Sequence, residues 1–366
     1  MLKSFLFKIK DHRRQQGRRY ELGHILLFSI LAILSGANSY RKVALFMSTH
    51  YEKLDEMFGL KWKRKPAYTS IREIIKETNS EELEKVFRAH SRQLSEMGEG
   101  QQFIEVDGKV LRGSFDHFLD QKAIQILSAF VSDSRIILAH EEIEQKTNEI
   151  PVARKLFEEL GVTAAVFVLD ALHCQAETLE VAQATGNDVI VQVKENQKTL
   201  LDDCVSHAAT HQPDAVYQEP TTKSHNRIER RRVELFLFPF FSDPSKWEPV
   251  EVLVKVNRFR KVFHPKIKTW RDTHETAFYL ATLILDAQLF CHVIRNHWGI
   301  ENRDHYVRDV TLGEDASRIR VNPHIFAKLR SFALNIFRHN SVENVSQETF
   351  INCLDFAHLA LYSGLF

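Results

Sequence analysis

Asp107 and Asp170 each stand at the end of a short apolar run: Gln102–Val106 leads into Asp107-Gly108, and Val162–Leu169 leads into Asp170. Runs of this length and composition read as strands, and Asp-Gly is a turn signal. Carboxylates projected from the strand ends of an open α/β sheet can share a hard divalent cation, because such ions prefer oxygen ligands. Either aspartate taken alone reads better as a turn or cap residue. A third carboxylate, Glu301, lies in His297-Trp298-Gly299-Ile300-Glu301-Asn302, inside a long helical pattern. His297, Glu301, His305 and Asp309 recur every four residues and so share one helix face. The neighbouring Trp298, Ile300 and Tyr306 imply burial, and a buried carboxylate needs a partner or a metal. The competing reading is a helix with ordinary i,i+4 polar pairs.

These residues need a scaffold, and the pattern supplies one. Residues 1 to about 97 read as helical, with apolar positions at helical spacing in Leu22–Leu34, Val43–Met57 and Leu83–Leu94. Pro66 breaks the pattern, and Thr69 or Ser70 is expected to cap a helix from near Ile71, with Glu73 placed for a capping box. Gly98-Glu99-Gly100 reads as a linker. Strands are then expected at Gln102–Val106, Ala123–Val131 and Arg135–Ile143. A helix follows from Ile150 to Leu160, capped by Asn148, then a strand at Val162–Leu169, a helix at Gln175–Thr185, a strand at Asp188–Val193 and a helix from Gln197. Three consecutive strands suggest an antiparallel meander, and the later alternation suggests parallel crossovers on the same sheet. The expected fold is α/β: an RNase H-like mixed five-stranded sheet with flanking helices, a β-rich insertion and a helical N-terminal domain.

The insertion reads from strands at Val233–Phe238, Val250–Val256 and Thr276–Leu283, interspersed with prolines. From Asp286 the helical pattern returns to about Asp309, and further helices fit Ile325–Phe337 and Phe350–Leu361. The expected division is a helical domain at 1–98, a catalytic core at 99–213 and 286–340, a β-rich insertion at 214–285 and a C-terminal helix at 341–366.

Composition sets broader bounds. The chain has 366 residues, 44% hydrophobic and 27% charged, as in ordinary soluble globular proteins. Its net charge of +1 gives no global argument for nucleic acid, so any such argument rests on local patches. The four cysteines, Cys174, Cys204, Cys291 and Cys353, form no Cys-x-x-Cys pair, which suits a reduced, cytoplasmic protein better than a zinc or disulfide scaffold. The basic residues 1–20 followed by apolar Ile25–Leu34 imitate a signal peptide, but a run this short reads better as a buried core helix, and no membrane association is expected.

Four segments are locally basic. Residues 1–20 hold seven Lys/Arg against Asp11; Lys61, Lys63, Arg64 and Lys65 flank Trp62; and Arg227, Arg230, Arg231 and Arg232 form a third group. The fourth contains Arg258, Arg260, Lys261, Lys266, Lys268 and Arg271, interleaved with Phe259, Phe263 and Trp270, and has no acidic residue from Asn257 to Arg271. Single clusters are usually solvated faces. The fourth, with its aromatics, is the one expected to bind DNA, through Arg258, Arg260, Lys261 and Trp270, with Arg227 and Arg230 from the third.

The motifs together resemble those of the H-repeat-associated, Rhs-linked insertion-sequence transposases of the DDE class. The matching residues are Val106-Asp107-Gly108-Lys109 with Leu111-Arg112-Gly113-Ser114; Leu169-Asp170-Ala171 with Cys174-Gln175; Lys194 with Asn196-Gln197; and His225 with Arg227-Ile228-Glu229. His297-Trp298-Gly299-Ile300-Glu301-Asn302 with His305, then Asp309-Val310-Thr311, Glu314-Asp315 and Ser317-Arg318, complete the set. The resemblance spans nearly the whole chain. Glu195 departs from the family's usual small residue, and Tyr306 from its common tryptophan.

The resemblance implies a bacterial, cytoplasmic enzyme that cuts at the ends of its element and joins the freed 3′-hydroxyl to target DNA. Asp107, Asp170 and Glu301 are then the catalytic, metal-binding carboxylates. Asp107 would bridge two Mg²⁺ or Mn²⁺ ions about 4 Å apart, with Asp170 on one and Glu301 on the other. His297, Lys194, Gln197, Asn302 and His305 are expected in support. Insertion-sequence ends and target DNA are the expected partners, bound by a homodimer, with no small-molecule cofactor. Other readings are a zinc hydrolase using His297, Glu301 and His305, which leaves Asp107 and Asp170 unexplained; a non-catalytic DNA-binding relic; and an RNase H-like nuclease without strand transfer.

Overall fold

A computed structural model describes residues 1–95, 101–114, 123–143, 148–224, 226–266, 268–297 and 305–366. The chain divides into two compact units. The first comprises Met1–Glu99, Gly108–Glu149 and Ile300–Phe366, and the second Gly100–Asp107 and Ile150–Gly299.

The first unit is built on helices α1 (Leu2–Leu6), α2 (Leu22–Leu34), α3 (Tyr40–Thr49), α4 (Tyr51–Phe58), α5 (Tyr68–Lys76) and α6 (Ser80–Leu94), joined by α11 (Pro323–His339) and α12 (Val345–Leu354). All of α2 is buried, as a helix apolar on every side must be. The basic stretch before it therefore leads into a core helix, and no helix among the described residues is long and apolar enough to cross a membrane. Asn79 caps α6 by accepting from the Glu82 N–H at 2.8 Å. Helix α5 starts at Tyr68, directly after Pro66-Ala67, so Thr69 and Ser70 lie inside its first turn instead of capping a later start. The expected Phe350–Leu361 helix is divided at Asp355, which caps a separate 3₁₀ turn, Phe356–Leu361.

Strands β2 (Gln125–Val131) and β3 (Ile137–Ile143) form an antiparallel pair in this unit. The end of strand β1 (Gln102–Val110) runs into it, and the Leu111 N–H donates to the Ile124 carbonyl at 2.8 Å. Phe130 and Ile137 share one hydrophobic core with α2, α6 and α11. Polar bonds register the same elements. His140 lies between the Ser128 and Ser331 hydroxyls, each at 2.8 Å, and its backbone N–H donates to Glu84 on α6 at 2.8 Å.

In the second unit, β1 pairs in parallel with β4 (Ala165–Leu169), and β4 with β5 (Asp188–Val193). Parallel neighbours require crossovers, supplied by α7 (Glu149–Leu160) and α8 (Ala176–Ala184). After α9 (Lys198–Thr210) come β6 (Ala215–Gln218), β7 (Thr222–Ser224), β8 (Arg227–Leu237), β9 (Val252–His264) and β10 (Thr269–Ala281), then α10 (Ala287–His297). These strands extend the sheet in the order β1-β4-β5-β10-β9-β8-β6, with β7 also on β8. β10 runs antiparallel along β5 and covers an edge that would otherwise expose unpaired backbone groups. Val233 and Leu235 of β8 and the alternate valines Val252, Val254 and Val256 of β9 share a core with Phe290, Val293 and Ile294 of α10. Three strands followed by helix-strand-helix-strand-helix is the RNase H-like order the sequence predicts.

Candidate active site

The register of the parallel strands brings the two aspartates together. Val106 of β1 pairs with Leu169 of β4, so the next positions, Asp107 and Asp170, follow side by side where the β1–β4 pairing ends. β4 stops at Leu169, whereas β1 continues through Asp107-Gly108 to Val110, so the strand end and turn expected at Asp107-Gly108 are not found. Neighbouring strands lie about 4.8 Å apart, and register partners point to the same face. β4 stops here for a local reason. Asp170 turns the chain into the 3₁₀ turn Ala171–His173, and its carboxylate accepts from the Ala171 N–H at 2.7 Å. On β1, a side chain at Gly108 would meet the far end of the Glu149 side chain, which would have to swing aside.

Residues following β5 complete the surroundings of Asp170. Lys194 Nζ lies 3.2 Å from its carboxylate, both side chains being about half exposed. The Asn196 amide donates to the Ala171 carbonyl at 2.7 Å, and the Gln197 amide to the Cys174 carbonyl at 2.9 Å and to Gln175 at 3.2 Å. Asn196 and Gln197 thus fix the loop that carries Asp170. Burial would raise the Asp170 carboxyl, but the Ala171 N–H, Lys194 and, more weakly, His297 outweigh it and hold the group below its ordinary value.

His297 closes α10 and interacts electrostatically with Asp170. Burial pushes its imidazole down to about 4, against the pull of Asp170 and helped by Lys194 and His173. Its Nδ1 is buried and has no hydrogen-bond partner among the described residues. Glu301 and Asn302 lie outside the described residues. Among the described residues, no three His, Cys, Asp or Glu side chains gather to hold a metal ion. The donors of Asp107 and Asp170 are hard oxygens, and Asp170 is kept ionised, so this pair fits a hard divalent cation.

The segment beyond Glu301 belongs to the first unit, where His305 is half-buried and burial pushes its imidazole down to about 4. Val307–Thr311 forms a wide π-type turn that leads into a buried ion cage. Lys109 of β1 pairs with Asp309 and, at 2.7 Å, with Glu314. Arg308 donates to Glu314 at 3.1 Å, and Arg330 of α11 lies 4.0 Å from it. Burial alone would raise the Glu314 carboxyl; Arg308, Lys109 and Arg330 reverse this and hold it far below its ordinary 4.5. Asp309 and Glu314 are thus occupied by cations. Sequence reasoning noted Lys109, Asp309 and Glu314 as motif residues but not as partners.

The basic third and fourth clusters form one arm, β8-β9-β10. Its register sorts the charges onto two faces. Arg227, Glu229 and Arg231 share a face with Arg258, Arg260 and Glu275. There Glu229 takes Arg227, Arg231 and Arg258, and Glu275 lies 3.8 Å from Arg258 and 3.5 Å from Arg260. The opposite face carries Arg230, Phe259 and His274 in one cross-strand row, with Phe263 beside Trp270 and Lys261 beside Asp272. Arg230 lies over the Phe259 ring at 5.2 Å, Phe259 stacks on His274 at 4.5 Å, and Lys261 pairs with Asp272 at 3.3 Å. Trp270 is 47% exposed, with its ring 5.4 Å from that of Phe263.

Two family descriptions fit this chain: "DDE_Tnp_1-associated" over residues 3–91 and "Transposase DDE domain" over residues 100–337. It is 28% identical over 346 residues to a protein of Escherichia coli O157:H7 named as transposase YncI, covering 92% of this chain and 87% of that one. It is 27% identical over 346 residues to YhhI of Escherichia coli (strain K12), named as an H repeat-associated transposase, covering 91% and 89%. A cryo-EM structure of the piggyBac transposase synaptic complex with hairpin DNA superposes with a TM-score of 0.47 at 12% identity, covering 100% of this chain and 78% of that one. With the paired aspartates falling inside the matched region, the chain belongs to the transposase DDE domain family.

Proposed function

We propose that this transposase cleaves DNA at the ends of an insertion sequence and joins the freed 3′-hydroxyl to target DNA, acting as a dimer on the two ends. The observation that carries the reading is the strand register that sets Asp107 beside Asp170 where the parallel β1–β4 pairing ends. DDE transposases as a class work with divalent metal ions; here we propose two Mg²⁺ or Mn²⁺ ions held by Asp107, Asp170 and Glu301, the last assigned from its sequence motif alone. When bound, such ions neutralise charge on the phosphate and favour deprotonation of the attacking hydroxyl or water.

The chain's own residues do the positioning. Asn196 and Gln197 hold the Asp170 loop in place through the Ala171 and Cys174 carbonyls. Lys194 keeps Asp170 ionised until it is called on and is near enough to meet a phosphate oxygen. His297, neutral at physiological pH, offers an uncharged ring nitrogen beside Asp170. On the arm, the face of Arg230, Lys261 and Trp270 takes the DNA backbone and bases, while Arg227, Arg258 and Arg260 brace the arm through Glu229 and Glu275.

Incubation of purified protein with labelled element ends and a supercoiled target plasmid tests the reading. Divalent-dependent nicking at the ends and covalent joining to the plasmid are expected. Nicking without joining would make the protein a nuclease, and binding without nicking a DNA-binding relic.

A further inference from the structure

The first unit carries a 320 Å³ cleft of whose lining only Arg318 belongs to the motifs. It is lined by Tyr40 at the start of α3, by Arg72, Glu73 and Lys76 on α5, and by the extended run Arg318–Val321 ahead of α11. Among the described residues, four cationic side chains, Arg72, Lys76, Arg318 and Arg320, the last with a further interaction of its own, line it with one carboxylate, in a chain whose net charge is only +1. That carboxylate is already engaged: Glu73 accepts from Arg72 at 2.7 Å and from Lys76 at 3.2 Å. Arg318 is exposed and has no ion-pair partner among the described residues. Cations crowded on cleft walls repel one another and raise the local potential, which attracts anions.

The cleft is also rigid. The Arg318–Val321 run is tied at both ends: the Ser317 N–H donates to the carbonyl of Glu314, the centre of the buried ion cage, at 3.0 Å, and the Asn322 amide donates to the Lys76 carbonyl at 2.8 Å. The Tyr40 ring packs edge-on against Phe326 at 5.3 Å, and the Arg330 guanidinium lies 4.6 Å over the same ring. Burial pushes the Tyr40 phenol up to about 12, so it stays a neutral hydroxyl donor at the cleft wall. Arg72 and Lys76 lie one helical turn apart on one face of α5, and Tyr68 lies one turn earlier with Arg41 5.2 Å over its ring. Arg72 and Lys76 thus set two cations about 6 Å apart along the helix axis, at about 1.5 Å per residue. With Arg318 and Arg320 lining the same cleft, they suit more than one phosphate of a chain.

We propose that this cleft grips the sugar-phosphate backbone of duplex DNA, a contact point of its own apart from the arm. The proposal rests on the reading of the protein as one that acts on DNA. Its test is the salt dependence of duplex binding by the full chain, with thermal melting to confirm folding. Arg318→Gln with Arg320→Gln, both exposed positions, should weaken binding and make the slope of log K against log salt shallower by about 2, since each lost phosphate contact removes about 0.9. Glu73→Gln deletes the one opposing carboxylate and should tighten binding several-fold. If wild type binds duplex DNA and both variants match its slope and affinity, the cleft proposal is overturned while the DNA reading stands. Wild type that binds no duplex DNA overturns the underlying reading. Inorganic tripolyphosphate binding that the double variant loses, with DNA binding intact, would also overturn the proposal, by assigning the cleft to a soluble polyanion.

Discussion

Lys194 Nζ lies 3.2 Å from the Asp170 carboxylate, across the ends of two neighbouring parallel strands. With the Ala171 N–H, it keeps Asp170 ionised despite partial burial. A depressed carboxyl stays charged as pH falls, and loses its charge only on passing its folded value. Lys194→Met should therefore raise the Asp170 pKa, and the acid limb of the pH profile for divalent-dependent cleavage should move to higher pH. Both groups are half exposed, so stability should change by less than about 1 kcal/mol. An unmoved acid limb with normal DNA binding would remove Lys194 from the control of Asp170.

The buried cage makes a separate prediction about stability. Glu314→Gln leaves Lys109, Arg308 and Arg330 without their shared counter-charge, and should destabilise the protein by about 3–5 kcal/mol. Because the Glu314 carboxyl is held far below its ordinary 4.5, its contribution is complete above that pH and drains away as pH falls towards the folded value. Melting curves of wild type and variant should stay well separated at neutral pH and approach each other only below about pH 4.5. Parallel curves across the acid range would contradict this account of the cage.

On the arm, the two faces should separate in their behaviour. Arg258→Ala leaves Glu229 short of a partner in a buried network and should cost about 1–3 kcal/mol of stability. Arg230→Ala should leave stability nearly unchanged and reduce the salt slope of DNA binding by about 1. Trp270→Ala should weaken binding with little change in slope, because a stacking ring carries no charge. The opposite assignment, with Arg258 setting the salt slope and Arg230 not, would turn the DNA-facing side of the arm over.

What the sequence discloses follows from what is local. Asp170 is legible because an apolar run, a strand end and a turn all lie within a few residues; at Asp107 the same signal misleads, because β1 runs on through Asp107-Gly108 to Val110. The helices of the first unit and the order of strands and helices around β4 and β5 are legible for the same reason. Pairing is not local. The absence of acids from Asn257 to Arg271 holds along the chain, yet the hairpin register sets Asp272 opposite Lys261 and Glu275 opposite Arg258, and β8 brings Glu229 to the same side. Lys109 meets Glu314 across 205 positions, and no spacing rule reaches that far. The run of β10 along β5 is likewise a tertiary choice, since the strand reads the same whether it caps its own hairpin or extends the catalytic sheet. His297 shows the reverse: its place on a helix is plain in the sequence, but its buried ring nitrogen and its interaction with Asp170 emerge only from packing.

The central claim is that Asp107, Asp170 and Glu301 act together on DNA through divalent ions. It is tested most directly by cleavage of element-end DNA with chelated protein, adding back Mg²⁺, Mn²⁺ or Zn²⁺, for wild type and for Asp107→Asn, Asp170→Asn and Glu301→Gln. The account predicts cleavage by wild type in Mg²⁺ or Mn²⁺ and not in Zn²⁺ alone. Each substitution should lower it by orders of magnitude while DNA binding persists. Full activity of Glu301→Gln in Mg²⁺, or wild-type activity that only Zn²⁺ restores, would contradict it.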